Sequence, residues 1–251
     1  MSISPTKDPH GVLAEMQQNG SYVSGDHIVY KASTHGEKYL DKDAHLSQPG
    51  VARRIAELLA VGIPKWSILI APETRSKIKL VEMVGQIAGC EVFSTKKNAS
   101  GEHTIDANHI PLIQWDHPRI VMDDVFNNGE TFRQILKALT EHNLSLTEFR
   151  VMVSRNPKLA ETLWIRFSAL ASVEIEQWEE TVVPAWLKER PITTELWNGR
   201  DWIAKGSETD TTIPAERLRK RKHKEDLGFH FEDGKHVVQM DVDEFFLDKR
   251  N

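Results

Sequence analysis

The sequence predicts an α/β fold, an open parallel sheet flanked by helices on both faces. Two observations lead to this prediction. Short apolar runs, typical of strands buried on both faces, alternate with segments of helical periodicity. The chain has 251 residues, 39% hydrophobic and 27% charged, which suits one large domain and excludes intrinsic disorder as the overall state. We expect residues 1–204 to form that domain and residues 205–251 to form a charged C-terminal extension.

Two helices and a hairpin are predicted ahead of the sheet. A short amphipathic helix covers residues 8–19, and Gly20 ends it. Residues 21–33 are rich in Tyr, Val and Ile, and we predict a hairpin there with Gly25 and Asp26 at its turn. A second amphipathic helix covers residues 49–59.

The central part of the chain alternates strands with helices, as a parallel sheet requires. The predicted strands cover residues 67–71, 90–95, 119–122, 149–154 and 171–178. The predicted helices cover residues 77–88, 131–139 and 157–170. Residues 96–117 form a polar loop that is longer than most connections in compact domains, and it is therefore a candidate lid.

The composition changes after Trp202. Residues 205–216 look like a linker, residues 217–224 are basic, and residues 229–240 are predicted to form a hairpin around Asp233 and Gly234. The basic run suits nucleic acid or an acidic partner, but a solvated helix face has the same composition. We favour the solvated face and do not expect nucleic acid as a partner, because the formal net charge is −5.

Cysteine usage and the N-terminus bear on location. Cys90 is the single cysteine, which excludes an internal disulfide and a Cys-rich zinc site, and we interpret it as a buried structural thiol. The first ten residues are polar, and the apolar runs are much shorter than the roughly 20 residues of a membrane-spanning helix. We therefore expect a cytoplasmic protein without a membrane partner.

The most informative segment covers residues 119–131, RIVMDDVFNNGET. An apolar strand leads into Asp123 and Asp124, and a loop containing Gly129 then leads into a helix. In an open α/β sheet, ligands bind at the carboxyl ends of strands. Two adjacent acids can accept hydrogen bonds from the vicinal hydroxyls of a sugar, and a loop at a helix N-terminus presents N–H groups to a phosphate. This order favours a ribose 5-phosphate site over an ordinary Asp-Asp turn.

This segment resembles the phosphoribosyl diphosphate (PRPP) motif of type I phosphoribosyltransferases. In that motif an apolar strand is followed by two acids and a phosphate loop. The resemblance implies ribose binding by Asp123 and Asp124, and phosphate binding by a loop of four residues, Asn127, Asn128, Gly129 and Thr131. Glu130 adds a negative charge that is unfavourable unless its side chain points away from the phosphate.

Further segments, between about residues 10 and 200, resemble orotate phosphoribosyltransferase in the order found in that enzyme. Ser24 and Gly25 followed by Tyr30 resemble its base-covering N-terminal segment, and residues 151–155 resemble the strand whose final Arg binds the base. Residues 173–190 resemble its C-terminal strand and extension. The resemblance implies a small N-terminal hood, base binding by Tyr30 and Arg155, and a homodimer.

Two loops depart from the orotate pattern. Residues 72–77, here called the diphosphate loop, lack the usual small residues, but Arg75 and Lys77 are expected to bind diphosphate. The catalytic loop is represented by residues 96–103. There Lys96 is assigned to PRPP, Lys97 and His103 are assigned to catalysis, and Ser100 stands where a catalytic Lys is expected. Each of these basic residues, like Arg155, has an ordinary solvated side chain as its alternative.

The resemblance implies Mg2+-dependent transfer of ribose 5-phosphate from PRPP to a small nucleobase, orotate-like, as in pyrimidine biosynthesis. A catalytically inactive PRPP-fold protein with a ligand-binding or regulatory role is the alternative, favoured by the altered diphosphate loop and by Ser100. A transferase for a different acceptor is a third hypothesis, because Val23 replaces the family's base-contacting Lys.

Overall fold

The computed structural model describes residues 6–30, 33–73, 75–114 and 116–194, together with Leu196 and Gly199. The side chains of Arg75 and Ser76 fall outside this description. The linker, basic run and hairpin that we predict within residues 205–251 also lie outside the described residues. No helix in the described part of the chain is long and apolar enough to span a bilayer.

The described residues form nine strands and eight α-helices. The strands are β1 (Tyr22–Val29), β2 (His35–Leu40), β3 (Ile68–Ala71), β4 (Glu91–Ser94), β5 (Lys96–Lys97), β6 (His103–Thr104), β7 (Arg119–Phe126), β8 (Glu148–Ser154) and β9 (Arg166–Ser172). The helices are α1 (Val12–Gln18), α2 (Lys42–Leu46), α3 (Val51–Ala60), α4 (Arg75–Ala88), α5 (Ile110–Ile113), α6 (Glu130–Thr140), α7 (Pro157–Ala160) and α8 (Ala185–Lys188).

A five-stranded parallel sheet with the order β4-β3-β7-β8-β9 forms the centre of the molecule. Alternate residues of its strands face two separate apolar clusters. Leu69 and Ile120 contribute to one cluster, which also contains side chains of α1, α3 and α4. Ile70 and Val121 contribute to the other, which contains α6. Both faces of the sheet are therefore covered by helices, as the continuous apolar strand sequences predict.

The antiparallel strands β1 and β2, followed by α2, form a small unit that we call the hood. The predicted hairpin turn at Gly25 and Asp26 is wrong, because both residues lie within β1 and the chain reverses between Val29 and His35. Gly25 has φ 88°, and the register with β2 shifts around it, so this glycine bends the strand at an irregularity instead of closing a turn.

Two other predictions are wrong near the C-terminal edge of the sheet. The helix expected over residues 157–170 ends at Ala160, and the strand expected over residues 171–178 is β9, Arg166–Ser172. The reason is tertiary, because residues 166–172 pair in parallel with the whole of β8. This pairing satisfies their backbone groups and overrides the local helical preference of the Leu- and Ala-containing sequence.

The long polar loop expected over residues 96–117 contains regular structure. β5 and β6 form a short antiparallel hairpin, with Lys97 paired to His103, and α5 follows it. β7 is also longer than predicted, because its pairing with β8 continues to Phe126. Asp123 and Asp124 therefore lie inside a strand and do not follow its end.

Candidate functional site

The acid pair lies in the central strand of the sheet at its carboxyl-terminal half. β3 pairs with β7 as far as Ile70 and Val121, whereas β8 continues alongside β7 to Phe126. The acids therefore lie at the level where β3 has ended and the diphosphate loop begins. This is the crevice in which open α/β sheets bind ligands. Asp123 and Asp124 are 3% and 2% exposed, so their charges need compensation from the protein.

Two lysines from different elements supply this compensation. The Lys77 ammonium, on α4, lies 2.7 Å from Asp123 Oδ1 and 3.6 Å from Asp124 Oδ1. The Lys42 ammonium, on α2 of the hood, lies 2.7 Å from Asp124 Oδ2. Lys77 is among the site residues predicted from the sequence, but Lys42 is not, because nothing in the local sequence indicates that a hood lysine reaches the sheet.

The two carboxyls have different proton affinities. Burial and the neighbouring Asp124 charge raise the pKa of Asp123 to about 7. Burial also acts to raise the pKa of Asp124, but Lys77 and Lys42 outweigh it, so this pKa lies below its usual value. As the pH falls, Asp123 accordingly takes up a proton first and Asp124 stays ionised. The pKa values of both lysines are raised despite burial, because the carboxylates stabilise their charged forms.

The loop predicted to hold a phosphate joins β7 to α6. Asn127 and Asn128 are exposed, and Gly129 is buried with φ 74°, a conformation that favours glycine. Asn128 Oδ1 accepts a hydrogen bond from the Glu130 backbone N–H at 3.1 Å. Thr131 is half-buried in the first turn of α6. The structure therefore places all four predicted residues at the start of one helix, directly after the acid pair.

The Glu130 side chain is held along the helix. Its carboxylate accepts hydrogen bonds from Arg133 Nη2 at 3.0 Å and from Gln134 Nε2 at 2.8 Å. Both partners lie one turn further along α6. The neighbouring Arg133 guanidinium therefore offsets the negative charge that the sequence analysis found unfavourable near a phosphate.

The basic residues of the β5–β6 hairpin have distinct surroundings. The exposed Lys96 ammonium pairs with Asp106 at 2.6 Å. The Lys97 side chain is also exposed, and its backbone N–H donates to the Glu73 carboxylate of the diphosphate loop. Arg75 begins α4, but its side chain lies outside the description. The hairpin and the diphosphate loop, which carry the basic residues predicted to bind PRPP, are therefore in contact with each other.

His103 is buried instead of lying free on a loop. It is 7% exposed, its Nδ1 lies 2.7 Å from Thr95 Oγ1, and its backbone N–H donates to Gln134 Oε1. Burial, followed by the nearby charges of Lys97 and Lys77, lowers its pKa. His103 is accordingly neutral near pH 7 in this conformation, and its catalytic role stays a prediction.

The two predicted base-binding residues lie at the junction of the hood and the sheet. Arg155 Nη2 donates to the Leu40 carbonyl at 2.8 Å, and no described residue accepts a hydrogen bond from its buried Nε. Burial lowers the pKa of Arg155, against the opposing charges of Tyr30 and Asp124. The Tyr30 hydroxyl donates to the Lys38 carbonyl at 2.5 Å, and burial raises its pKa to about 12.

Metal binding by the protein alone is not favoured in the described part of the chain. No group of three or more His, Cys, Asp or Glu side chains there is arranged to hold a metal ion. Both members of the acid pair are engaged by lysines. These residues fit Mg2+ only as a complex with a ligand's own diphosphate oxygens, which are ligands of the kind that Mg2+ prefers.

The sequence matches no protein-family model and no curated protein. Among solved structures, UMP synthase of Leishmania donovani is 15% identical, with a TM-score of 0.51 over 78% of this chain and 42% of that chain. Orotate phosphoribosyltransferase from Aeropyrum pernix is 16% identical (TM-score 0.48, 65% of this chain and 93% of that chain). Adenine phosphoribosyltransferase from Thermoanaerobacter pseudethanolicus is 15% identical (TM-score 0.47, 63% and 98%). With its five-stranded parallel sheet covered by helices, the described part of the chain has the type I phosphoribosyltransferase fold.

Proposed function

We propose that this chain binds PRPP and transfers its ribose 5-phosphate to a small nucleobase. One observation carries the proposal: the buried pair Asp123 and Asp124 lies in the crevice of the sheet in contact with Lys77, and the loop of residues 127–129 follows at the end of the same strand. A sugar diol, a 5-phosphate and a diphosphate would each meet groups of suitable chemistry there.

The chain's own residues would perform the transfer mainly by positioning and charge. The acid pair would accept hydrogen bonds from the ribose hydroxyls, while the N–H groups at the start of α6 hold the 5-phosphate. The bond from C1 of the ribose to the diphosphate oxygen breaks, and both electrons leave with the diphosphate. Lys77 and the exposed Lys97 would stabilise that charge. A lone pair on a base nitrogen then forms the new bond to C1, and the proton of that nitrogen passes to the released diphosphate.

We propose Mg2+ as the cofactor, held by the ligand's diphosphate. When bound, it supplies charge neutralisation for the leaving group. Glu73, an exposed carboxylate in the diphosphate loop, is the protein group that we would test first as a contact to this complex. Its carboxylate already accepts the Lys97 N–H, so the same residue ties the β5–β6 hairpin to the loop.

We further propose an anionic, orotate-like base. The Arg155 side chain is half-buried, and its buried Nε has no hydrogen-bond partner among the described residues, so a donor with a positive charge is left for a ligand. A carboxylate on the base would accept the hydrogen bond from Nε and balance the positive charge, whereas adenine is uncharged. Arg155→Met should therefore weaken binding of orotate more than binding of PRPP, as measured by titration calorimetry of each ligand.

A PRPP-fold binding or regulatory protein without transfer activity is the second candidate. Ser100 is exposed at the turn of the β5–β6 hairpin, where a catalytic Lys is expected from the resemblance, and Lys96 is engaged by Asp106. Both candidates share the PRPP site and differ in whether diphosphate is released.

The deciding experiment is titration calorimetry with PRPP and Mg2+. Wild type should bind, Asp123→Asn/Asp124→Asn should not, and Lys79→Met, which removes an exposed charge from α4, should bind as wild type does. Diphosphate release is then measured with orotate, adenine and other bases. Release with one base establishes the transferase and identifies its acceptor, binding without release favours the second candidate, and no binding by wild type refutes both.

The assembly and the location of the protein are proposals that rest on the sequence resemblance. We propose a homodimer in the cytoplasm. Sedimentation velocity tests the first part, and a single species at the monomer mass of 28.6 kDa would contradict it.

A further inference from the structure

Lys42 connects the hood to the acid pair. It is the first residue of α2, and the side chain of the preceding Asp41 accepts the Ala44 N–H and so caps the helix. The Lys42 side chain is 26% exposed, and its ammonium lies 2.7 Å from Asp124 Oδ2 and 3.0 Å from Asp43 Oδ1. A residue of the hood therefore reaches a carboxylate that belongs to the central strand of the sheet.

Charged groups from four elements surround Asp124. Asp123 precedes it in β7, and Lys77 on α4 and Lys42 on α2 form ion pairs with it. Arg155, the residue that directly follows β8, also interacts with it electrostatically. Lys77 lies closer to Asp123, at 2.7 Å, than to Asp124, at 3.6 Å, whereas Lys42 lies 2.7 Å from Asp124. Lys42 is accordingly the direct counter-ion of Asp124.

The Asp124 carboxylate keeps hydrogen-bonding capacity while Lys42 is paired with it. Its Oδ1 accepts the Val125 backbone N–H at 2.7 Å, whereas its buried Oδ2 forms an ion pair with Lys42 and accepts no hydrogen bond from a described residue. Each carboxylate oxygen has two lone pairs, so about one acceptor site per oxygen remains. An ionised carboxylate can offer these sites to a sugar hydroxyl, whereas a protonated one loses part of this capacity.

We propose that Lys42 is a positioning residue of this site, holding Asp124 ionised and oriented as the acceptor for a sugar hydroxyl and thereby making ligand binding depend on the hood. The inference rests on the proposed PRPP site and adds to it a residue from outside the sequence motif. Without Lys42, the Asp124 carboxylate, which is 2% exposed, would keep Lys77, which it shares with Asp123, and the charge of Arg155, and it would take up a proton more readily.

The test measures PRPP affinity in the presence of Mg2+ between about pH 5.5 and pH 8.5. Lys42→Met keeps the aliphatic stem and removes the charge, and we expect a loss of affinity of about tenfold to a hundredfold, the range for hydrogen bonds to charged groups. The acidic limb of the affinity profile should also move to higher pH. Lys42→Arg should keep most of the wild-type affinity and the wild-type pH profile. Lys79→Met should change neither the affinity nor the pH profile. Lys42→Gln replaces the Met variant if that variant is not folded.

The outcomes separate this inference from the proposed function. Wild type that binds PRPP, together with a Lys42→Met variant of unchanged affinity and unchanged pH profile, overturns the role of Lys42 and leaves the PRPP site intact. Reduced affinity with an unchanged pH profile also overturns it, because that result indicates only a structural contact. If wild type does not bind PRPP, the proposed function is refuted, and the role proposed for Lys42 is refuted together with it.

Discussion

His45 in α2 should make the protein less stable in mild acid. The residue is fully buried, its Nδ1 lies 3.1 Å from the Asn19 side-chain amide, and burial lowers its pKa to about 4 from the ordinary 6.5. The amide can only donate in this contact, so Nδ1 accepts and the neutral ring carries its proton on Nε2. In the unfolded chain the same ring takes up a second proton as the pH falls below 6.5, whereas the folded protein resists this until about pH 4.

The size of the effect follows from this difference in pKa. The unfolded state binds more protons between pH 6.5 and about 4, so stability falls as the pH is lowered through this window. At about 1.4 kcal/mol per pH unit, the full loss is about 3 kcal/mol, and about 2 kcal/mol of it should be complete at about pH 5. His27 and His35 are also buried with lowered pKa values, so they add to the same trend.

Urea unfolding of wild type and His45→Gln at about pH 7.5 and pH 5 isolates the contribution of His45. Gln can still accept the Asn19 hydrogen bond but does not titrate, so the variant should lose about 2 kcal/mol less than wild type between the two pH values. His142→Gln, which replaces an exposed histidine, is the matched control. Equal losses in wild type and His45→Gln would refute the reasoning, because they would show that His45 is protonated as easily in the folded state as in the unfolded state.

Three further substitutions test packing in the hood and at the start of β8. Gly36→Ala should lower the melting temperature by several degrees, since the added methyl group would clash with the Tyr30 ring and lie 2.9 Å from the Glu176 carbonyl oxygen; an unchanged melting temperature contradicts that contact. Glu148→Gln should cost about 3 kcal/mol in urea unfolding, because it leaves the buried guanidinium of Arg150 without its counter-ion; a cost below about 1 kcal/mol would contradict the buried pair. Asp41→Ala should cost about 1 kcal/mol by the same assay through loss of the α2 cap, and no loss would show the cap to be unimportant.

The centre of the fold could be predicted because local pattern and tertiary environment agree there. β3, for example, is a run of four apolar residues between Ser67 and Pro72, and all four are buried. α6 has a glycine before it and apolar residues at helical spacing, and its buried face is Phe132, Ile135, Ala138 and Leu139. In such segments the periodicity of the sequence alone identifies both the element and the face that packs on the sheet.

The elements that were missed depend on partners distant in sequence. Residues 35–40 contain a histidine, a glycine and two charged residues, yet they form β2 because β1 pairs with them. Residues 166–172 form β9 because β8 offers an open edge. Propensity is a weak guide in both places, since the hydrogen bonds that decide the structure come from another strand.

Within the site, the acid pair was likewise predictable from the local sequence, whereas its partners were predictable only in part. Two adjacent acids after an apolar strand are visible in the sequence, and physical chemistry requires that buried carboxylates have partners. The basic residues predicted for the site are Arg155 and those of the diphosphate loop and the β5–β6 hairpin, yet one of the two direct counter-ions is Lys42 of the hood. Because Lys42 and Lys77 already balance the two acids, the PRPP proposed as ligand needs positive charge beyond what Lys77 supplies. Lys97 on the hairpin contacts the diphosphate loop through its backbone N–H, and Arg155 lies beside the hood, where we propose that the base binds, so the hood and the hairpin should contribute to affinity alongside the motif.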